Sequence, residues 1–279
     1  MIRKIGRSSK QSPSTAGRKA ARNSCLPLTI DLNADLGEGF GLSRAAEDEA
    51  ILDLVSSANV ACGFHAGDAT TMRDTVRAAK ARGVTIGAHP SYPDIPGFGR
   101  RELGLPPKLI SHHVEYQIRV LRDVCGAERA KLSYVKPHGA LYNRAARDPE
   151  AAKAVAIAIR MVEASLTLLG LAGSEMARAA ERAGIAFASE AFVDRAYKPD
   201  GTLVPRDETG AIIHDPKRAV QRAVMLVKGQ TITADDGTEL HISAQSLCIH
   251  GDNPDAVSIL RVLNARLKES GVTIFPFAA

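Results

Sequence analysis

Short apolar runs recur along the chain at 28–33, 59–62, 84–88, 132–136, 166–169, 185–188 and 246–250. Most are continuous rather than alternating, the pattern of strands buried on both faces. Between them apolar residues return every three or four positions, as in Met72, Val76 and Ala79, in Ile110, Val114, Ile118 and Leu121, and in Val220, Val224 and Val227. That spacing lines one face of a helix. Asp148-Pro149, Asp215-Pro216 and Asn253-Pro254 each set a capping residue before a proline suited to a first helical turn. Seven strand–helix units in about 250 residues predict a β/α barrel, with a doubly wound open sheet as the alternative. The stretch 229–244 interrupts the alternation: Thr231-Ile232-Thr233 and His241-Ile242-Ser243 flank Asp236-Gly237, predicting an inserted β-hairpin before the last strand.

Either architecture binds ligands at the carboxyl ends of its parallel strands. Polar clusters fall there. The first strand runs into Asp31-Leu32-Asn33-Ala34-Asp35-Leu36-Gly37-Glu38-Gly39-Phe40-Gly41, three acids beside three glycines. Later runs end in Gly63-Phe64-His65-Ala66-Gly67-Asp68, Gly87-Ala88-His89-Pro90, Lys136-Pro137-His138-Gly139 and His250-Gly251-Asp252.

Composition narrows the class. With 279 residues, 45% hydrophobic and 24% charged, the chain has enough apolar content for one large core. We expect a single domain over 26–279. The net charge of +5 is uneven: the first 25 residues hold seven of the 36 basic residues and no acid, so the remainder carries 29 basic against 31 acidic side chains. Residues 1–25 lack the apolar content to fold and are expected to form a disordered basic tail. The body has no charge excess to attract nucleic acid, and no apolar run approaches the 18 or so residues of a membrane span. Cys25, Cys62, Cys125 and Cys248 are widely spaced, without a C-x-x-C pair, which fits a reduced, cytoplasmic setting. Cys62 reads as a packing residue or, near His65, as a nucleophile.

Asp35, Glu38, His65, His89 and His138 are the acid/base candidates, the imidazoles because their ordinary pKa lies near neutral pH. Lys136 is either a pocket cation for phosphate or oxyanion or a surface lysine. Gly37, Gly39 and Gly41 are either a phosphate cradle or a tight turn, and there is no P-loop. Asn33, Arg100 and Arg195 are candidate substrate contacts. Arg100, Arg101 and Arg195 read either as carboxylate clamps or, with Asp194 and Glu102 adjacent, as loop ion pairs. His112 and His113 belong to a helix and carry no such context. Asp31, His250 and Asp252 are weak metal candidates; Asp35, His65 and His138 also have suitable side chains, and spacing decides nothing. Residues 197–206 are long enough for a lid or a docking surface.

Residues 31–41 (DLNADLGEGFG), 57–68 (SANVACGFHAGD), 87–101 (GAHPSYPDIPGFGRR), 135–143 (VKPHGALYN), 190–206 and 248–252 together resemble the LamB/YcsF family, in order and over roughly residues 28–278. The resemblance implies a deacetylase-like β/α barrel, seven-stranded on the count above. It also implies ATP-dependent opening of 5-oxo-L-proline to L-glutamate, with ADP and phosphate released, as the A subunit working with subunits B and C. ATP is expected to arrive with Mg²⁺ held by one or two carboxylates. Two other readings fit the residues: a metal-dependent amide or carbohydrate deacetylase, and a non-catalytic binding subunit.

Overall fold

Alternation along the first strand sets the architecture. The computed structural model describes residues 28–39, 45–250 and 255–278. In strand β1 (Leu28–Leu36), Leu32, Ala34 and Leu36 point to a continuous apolar layer, while Asp31, Asn33 and Asp35 point the other way. Those three polar side chains reach residues of other strands across an enclosed interior. The strand is therefore buried on both faces, as the sequence predicts, but its inward face is polar.

Strands β2 (Ser57–Ala61), β3 (Thr85–His89), β4 (Leu132–Val135), β5 (Thr167–Leu171) and β6 (Phe187–Phe192) follow β1 in parallel order. Strands β7 (Ile232–Thr233) and β8 (Glu239–Leu240) form a separate antiparallel hairpin. Strand β9 (Ser246–Ile249) then pairs with both β6 and β1, from Asp31 opposite Ser246 to Ala34 opposite Ile249, and closes a seven-stranded barrel. Strand β10 (Val272–Ile274) adds in parallel to the start of β1. Three residues are too short to register as a strand by pattern. The hairpin stands where it was expected, but its second arm is Glu239–Leu240 rather than 241–243.

The helices α1 (Ala45–Leu52), α2 (Ala69–Ala81), α3 (Pro107–Ala127), α4 (Gly139–Arg147), α5 (Pro149–Val162), α6 (Glu175–Ala183), α7 (Pro216–Val227) and α8 (Ala256–Glu269) accompany the strands. The α2 stripe Met72, Thr75, Val76 and Ala79 is buried, and burying Met72 and Val76 contributes about 1.5–3 kcal/mol each. The proline-led starts at α5 and α7 are real: Asp148 accepts from the N–H groups of Glu150 and Ala151, and Asp215 from that of Lys217. Asn253-Pro254 lies outside the described residues, as does the 1–25 tail. Among the described residues no helix is long and apolar enough to cross a membrane.

Polar layers stack up the barrel interior. At the bottom, Asp31 accepts hydrogen bonds from Ser56, Ser57 and Ser246. Above it, Asn33 donates to Glu190 Oε1 at 2.9 Å, and Asn59 donates to Asn33 Oδ1 and Asp35 Oδ1, each at 2.7 Å. Tyr134 enters this layer and donates to Asn59 Oδ1 at 2.6 Å. Its ring fills the space opposite Gly87, where a β carbon would come within 2.2 Å of the ring. A buried network of this kind holds one arrangement because each donor and acceptor has a partner.

Candidate active site

Lys136 follows β4 and rises through the barrel axis. It is 2% exposed, so it is no surface lysine. Its ammonium meets Asp35 Oδ1, Glu190 Oε1 and Cys248 Sγ at 3.0 Å each and Asn33 Oδ1 at 3.2 Å. Burial works against the charged form, but Asp35 foremost among its neighbours outweighs it and holds the lysine pKa well above its ordinary range. For Asp35 burial likewise opposes ionisation, and His89 and Lys136 overcome it, leaving its pKa well below the usual carboxylate value. The three N–H groups of Lys136 are thus directed to the protein. That arrangement fixes Asp35 as an anion rather than leaving the ammonium free for phosphate.

Three strand-end imidazoles converge beside Asp35. His89, at the end of β3, directs Nδ1 to the Lys136 carbonyl at 2.8 Å. His138, between β4 and α4, directs Nε2 to the Phe98 carbonyl at 2.9 Å, and its Nδ1 stands 3.0 Å from His89 Nε2. His65, after β2, contacts Ser91 Oγ through Nδ1 at 2.9 Å and Glu38 Oε1 through Nε2 at 3.2 Å. The His65 and His138 rings stack 3.8 Å apart and 5° from parallel. Burial lowers the pKa of both, for His138 well below the ordinary value with His65 and His89 adding to the effect. Phe98 keeps φ at +53°, an uncommon conformation for a side-chain-bearing residue, in the loop that delivers its carbonyl to His138.

A cavity of about 340 Å³ opens above this floor, bounded by Asp35, His89, Lys136, His138, Tyr142 and Phe192, with Arg100, Arg195 and Arg206 on its wall. Its size suits a small ligand. Tyr142 in α4 donates to Glu190 Oε2 at 2.8 Å. The 194–213 segment forms the overhanging wall through the antiparallel bridges Arg195 to Ile212 and Tyr197 to Leu203. Tyr197 is fully buried, its hydroxyl accepting from the Phe192 N–H, so the base of this segment is anchored.

The structure thus gathers Asp35, Glu38, His65, His89, Lys136 and His138 into one contact chain, with Asn33 directly beneath. Arg100 reaches the cavity, its guanidinium 4.8 Å above the Phe98 ring. Arg195 also reaches it, but donates to the carbonyls of Val204 and Ala211 and ties down the loop. Arg101 is a loop ion pair with Asp94, not a clamp. Gly37 departs from the cradle reading: its N–H is taken by Asp48 Oδ2 at 2.9 Å, and with φ at +69° it serves a turn. Gly39 is buried next to it, and Gly41 lies outside the described residues. Of the metal candidates, Asp31 sits at the barrel bottom with its carboxylate taken by serines, His250 Nδ1 contacts Asp194 Oδ1 at 3.0 Å, and Asp252 lies outside the described residues. Burial pushes the Cys62 thiol up to about 12 and its Sγ donates to the Val60 carbonyl, which is packing and not nucleophile chemistry. His112 and His113 lie on α3, with His113 edge-on to Phe64.

Sequence reading misses Glu190, Tyr142, Asn59 and Cys248. A signal existed for Glu190: it is the one charged residue in the apolar strand Phe-Ala-Ser-Glu-Ala-Phe, at an inward position.

Residues 30–279 match the LamB/YcsF family. A protein of Streptomyces avermitilis named as the A subunit of 5-oxoprolinase is 51% identical over 249 residues, covering 89% of this chain and 100% of the relative. One of the same name from Methylococcus capsulatus is 50% identical, over 89% of this chain and 96% of the relative. Among solved structures, the lactam utilization protein of Thermus thermophilus is 43% identical and superimposes with a TM-score of 0.83, covering 89% of this chain and 100% of that one.

Proposed function

We propose that this chain, which belongs to the LamB/YcsF family, is the A component of a 5-oxoprolinase and that its strand-end cavity opens 5-oxo-L-proline to L-glutamate. The reaction is coupled to ATP, brought with Mg²⁺, and takes place in an assembly with subunits B and C. Relatives of about half-identical sequence that carry the 5-oxoprolinase name support the assignment.

The observation that carries the site assignment is the buried Asp35–Lys136 pair set against three imidazoles at the cavity floor. A lactam is a resonance-stabilised amide, so water attacks it slowly at neutral pH. Phosphorylation on the lactam oxygen converts the carbonyl carbon into an electrophile and couples ring opening to ATP. Attack then needs a base to take the proton of water, departure of the ring nitrogen needs an acid, and a second water releases phosphate from the acyl phosphate that remains. His138 and His89 line the cavity and face each other, which sets the pair against the attacking water and the departing nitrogen. Both hold their outer nitrogens on backbone carbonyls, which fixes the rings in position. Arg100 on the wall takes the carboxylate of 5-oxoproline beside the loop that Arg195 ties down, and Asn33 holds the Lys136–Glu190 layer below it.

The test is release of glutamate and ADP from 5-oxoproline and ATP by the chain alone, by subunits B and C alone, and by all three. Turnover only in the complete mixture is expected. ATP-independent deacylation by this chain alone would favour a deacetylase.

A further inference from the structure

We infer that His89 Nε2, His138 Nδ1 and a Glu38 carboxylate oxygen form the binding site of a divalent transition-metal ion, with His65 holding Glu38 in place. The site is the same strand-end face used by the proposed function, but the inference rests on hydrogen-bond accounting within it.

The Lys136 carbonyl only accepts, so His89 Nδ1 at 2.8 Å carries the proton, and neutral His89 has a bare Nε2. The Phe98 carbonyl likewise takes the Nε2 proton of His138 and leaves its Nδ1 bare. These two bare nitrogens face each other at 3.0 Å. His89 Nε2 is also 3.4 Å from Asp35 Oδ1, and His138 Nδ1 is 3.5 Å from Glu38 Oε1. While both rings stay neutral, four electron-rich atoms thus meet with no hydrogen among them. Only a cation relieves that arrangement.

Charge and geometry favour a metal over a proton. Asp35 and Glu190 meet the single ammonium of Lys136, and Glu38 adds a third formal negative charge beside His65 and His138, so a dication brings these four charged groups to neutrality whereas one added proton does not. Two ligands about 2.0–2.1 Å from a metal at right to tetrahedral angles stand about 2.9–3.4 Å apart, close to the contacts above. One ligand atom from each of Glu38, His65, His89 and His138 lies within 4.8 Å of the others. His65 is parallel to His138, so the in-plane lone pairs of both rings cannot aim at one ion. Its partner Ser91 Oγ has one proton and two acceptors, the Tyr92 carbonyl and His65 Nδ1, each at 2.9 Å; with that proton on Nδ1, His65 Nε2–H holds Glu38 Oε1 at 3.2 Å. Outward nitrogens fixed by carbonyls are the usual support of metal-bound imidazoles. Two nitrogens with a carboxylate suit zinc, manganese, iron(II) or cobalt better than magnesium, which separates this ion from the one that accompanies ATP. When bound, such an ion polarises a carbonyl or lowers the pKa of a bound water.

The test is elemental analysis of the full chain, prepared without a polyhistidine tag, followed by titration of chelator-stripped protein with Zn²⁺, Mn²⁺, Co²⁺ and Mg²⁺. About one equivalent of a transition metal per chain is expected, with affinity falling about tenfold or more in His138→Gln and Glu38→Gln and unchanged in His112→Ala. Cobalt loading of the unmodified chain, read by its visible absorption, makes the result independent of whether a variant folds. Folded protein that binds none of the transition metals saturably, with a His89–His138 proton seen by nitrogen NMR, overturns the inference. Chelator-insensitive lactam turnover without bound metal overturns this inference alone. Stoichiometric metal without turnover beside verified subunits B and C overturns the function alone.

Discussion

Lys136 Nζ donates to Asp35 Oδ1 at 3.0 Å in the middle of the barrel, with both side chains almost fully buried. Removing one partner leaves the other charged in a low-dielectric interior, which typically costs about 3–5 kcal/mol. Lys136→Met is expected to lower the unfolding free energy by that amount in urea titration. Asp35→Asn added to Lys136→Met is expected to recover part of the loss, because the stranded charge is gone.

Gly87 faces the Tyr134 ring with no room for a β carbon. Gly87→Ala is expected to destabilise by about 1–3 kcal/mol or more through overpacking. Truncating the ring in the same chain, as Tyr134→Leu, is expected to cost less there than in the native background. Thermal unfolding of the four proteins checks this coupling.

Asp31 gives a pH dependence with a definite sign. Burial pushes its carboxyl from 3.8 up to about 6, despite the serine hydroxyls that favour the anion. The folded state therefore binds the proton more tightly than the unfolded state. The group's favourable contribution is fully present below the ordinary value and is lost as pH rises through about 6. Asp31→Asn removes this titration, so its stability relative to the unmodified chain is expected to improve by about 2–2.5 kcal/mol between pH 4 and pH 7.5. Urea titrations at the two pH values read the difference.

Arg195 ties the cavity wall together by donating to the carbonyls of Val204 and Ala211. Hydrogen bonds from charged groups contribute about 1.5–3 kcal/mol. In Arg195→Met, amide exchange at Val204 and Ile213, whose N–H groups bond within the same segment, is expected to quicken about tenfold to a hundredfold, with strand amides of the barrel unaffected.

The barrel was legible because each of its seven strands is an apolar run bounded by turns, and each predicted run overlaps an observed strand. Capping residues before proline gave the starts of α5 and α7 for the same local reason. The polar interior was half legible. Asp31, Asn33 and Asp35 alternate with Leu32, Ala34 and Leu36, but the partners Asn59, Glu190 and Cys248 come from distant strands, and nothing local marks which face they occupy. Glycine spacing misled at Gly37 because its N–H is claimed by Asp48, eleven residues away in a helix. Lys136 was correctly set at a strand end, yet its neighbours, not its position, decide what the ammonium does.

The most direct test of the account uses the assembly reconstituted with subunits B and C and carrying Asp35→Asn or His138→Ala in this chain. Size-exclusion profiles should remain those of the native assembly while glutamate formation from 5-oxoproline and ATP falls about a hundredfold or more, as loss of acid/base chemistry entails. Near-native turnover in both variants, or a loss explained by failed assembly, would contradict the placement of catalysis at this strand-end face.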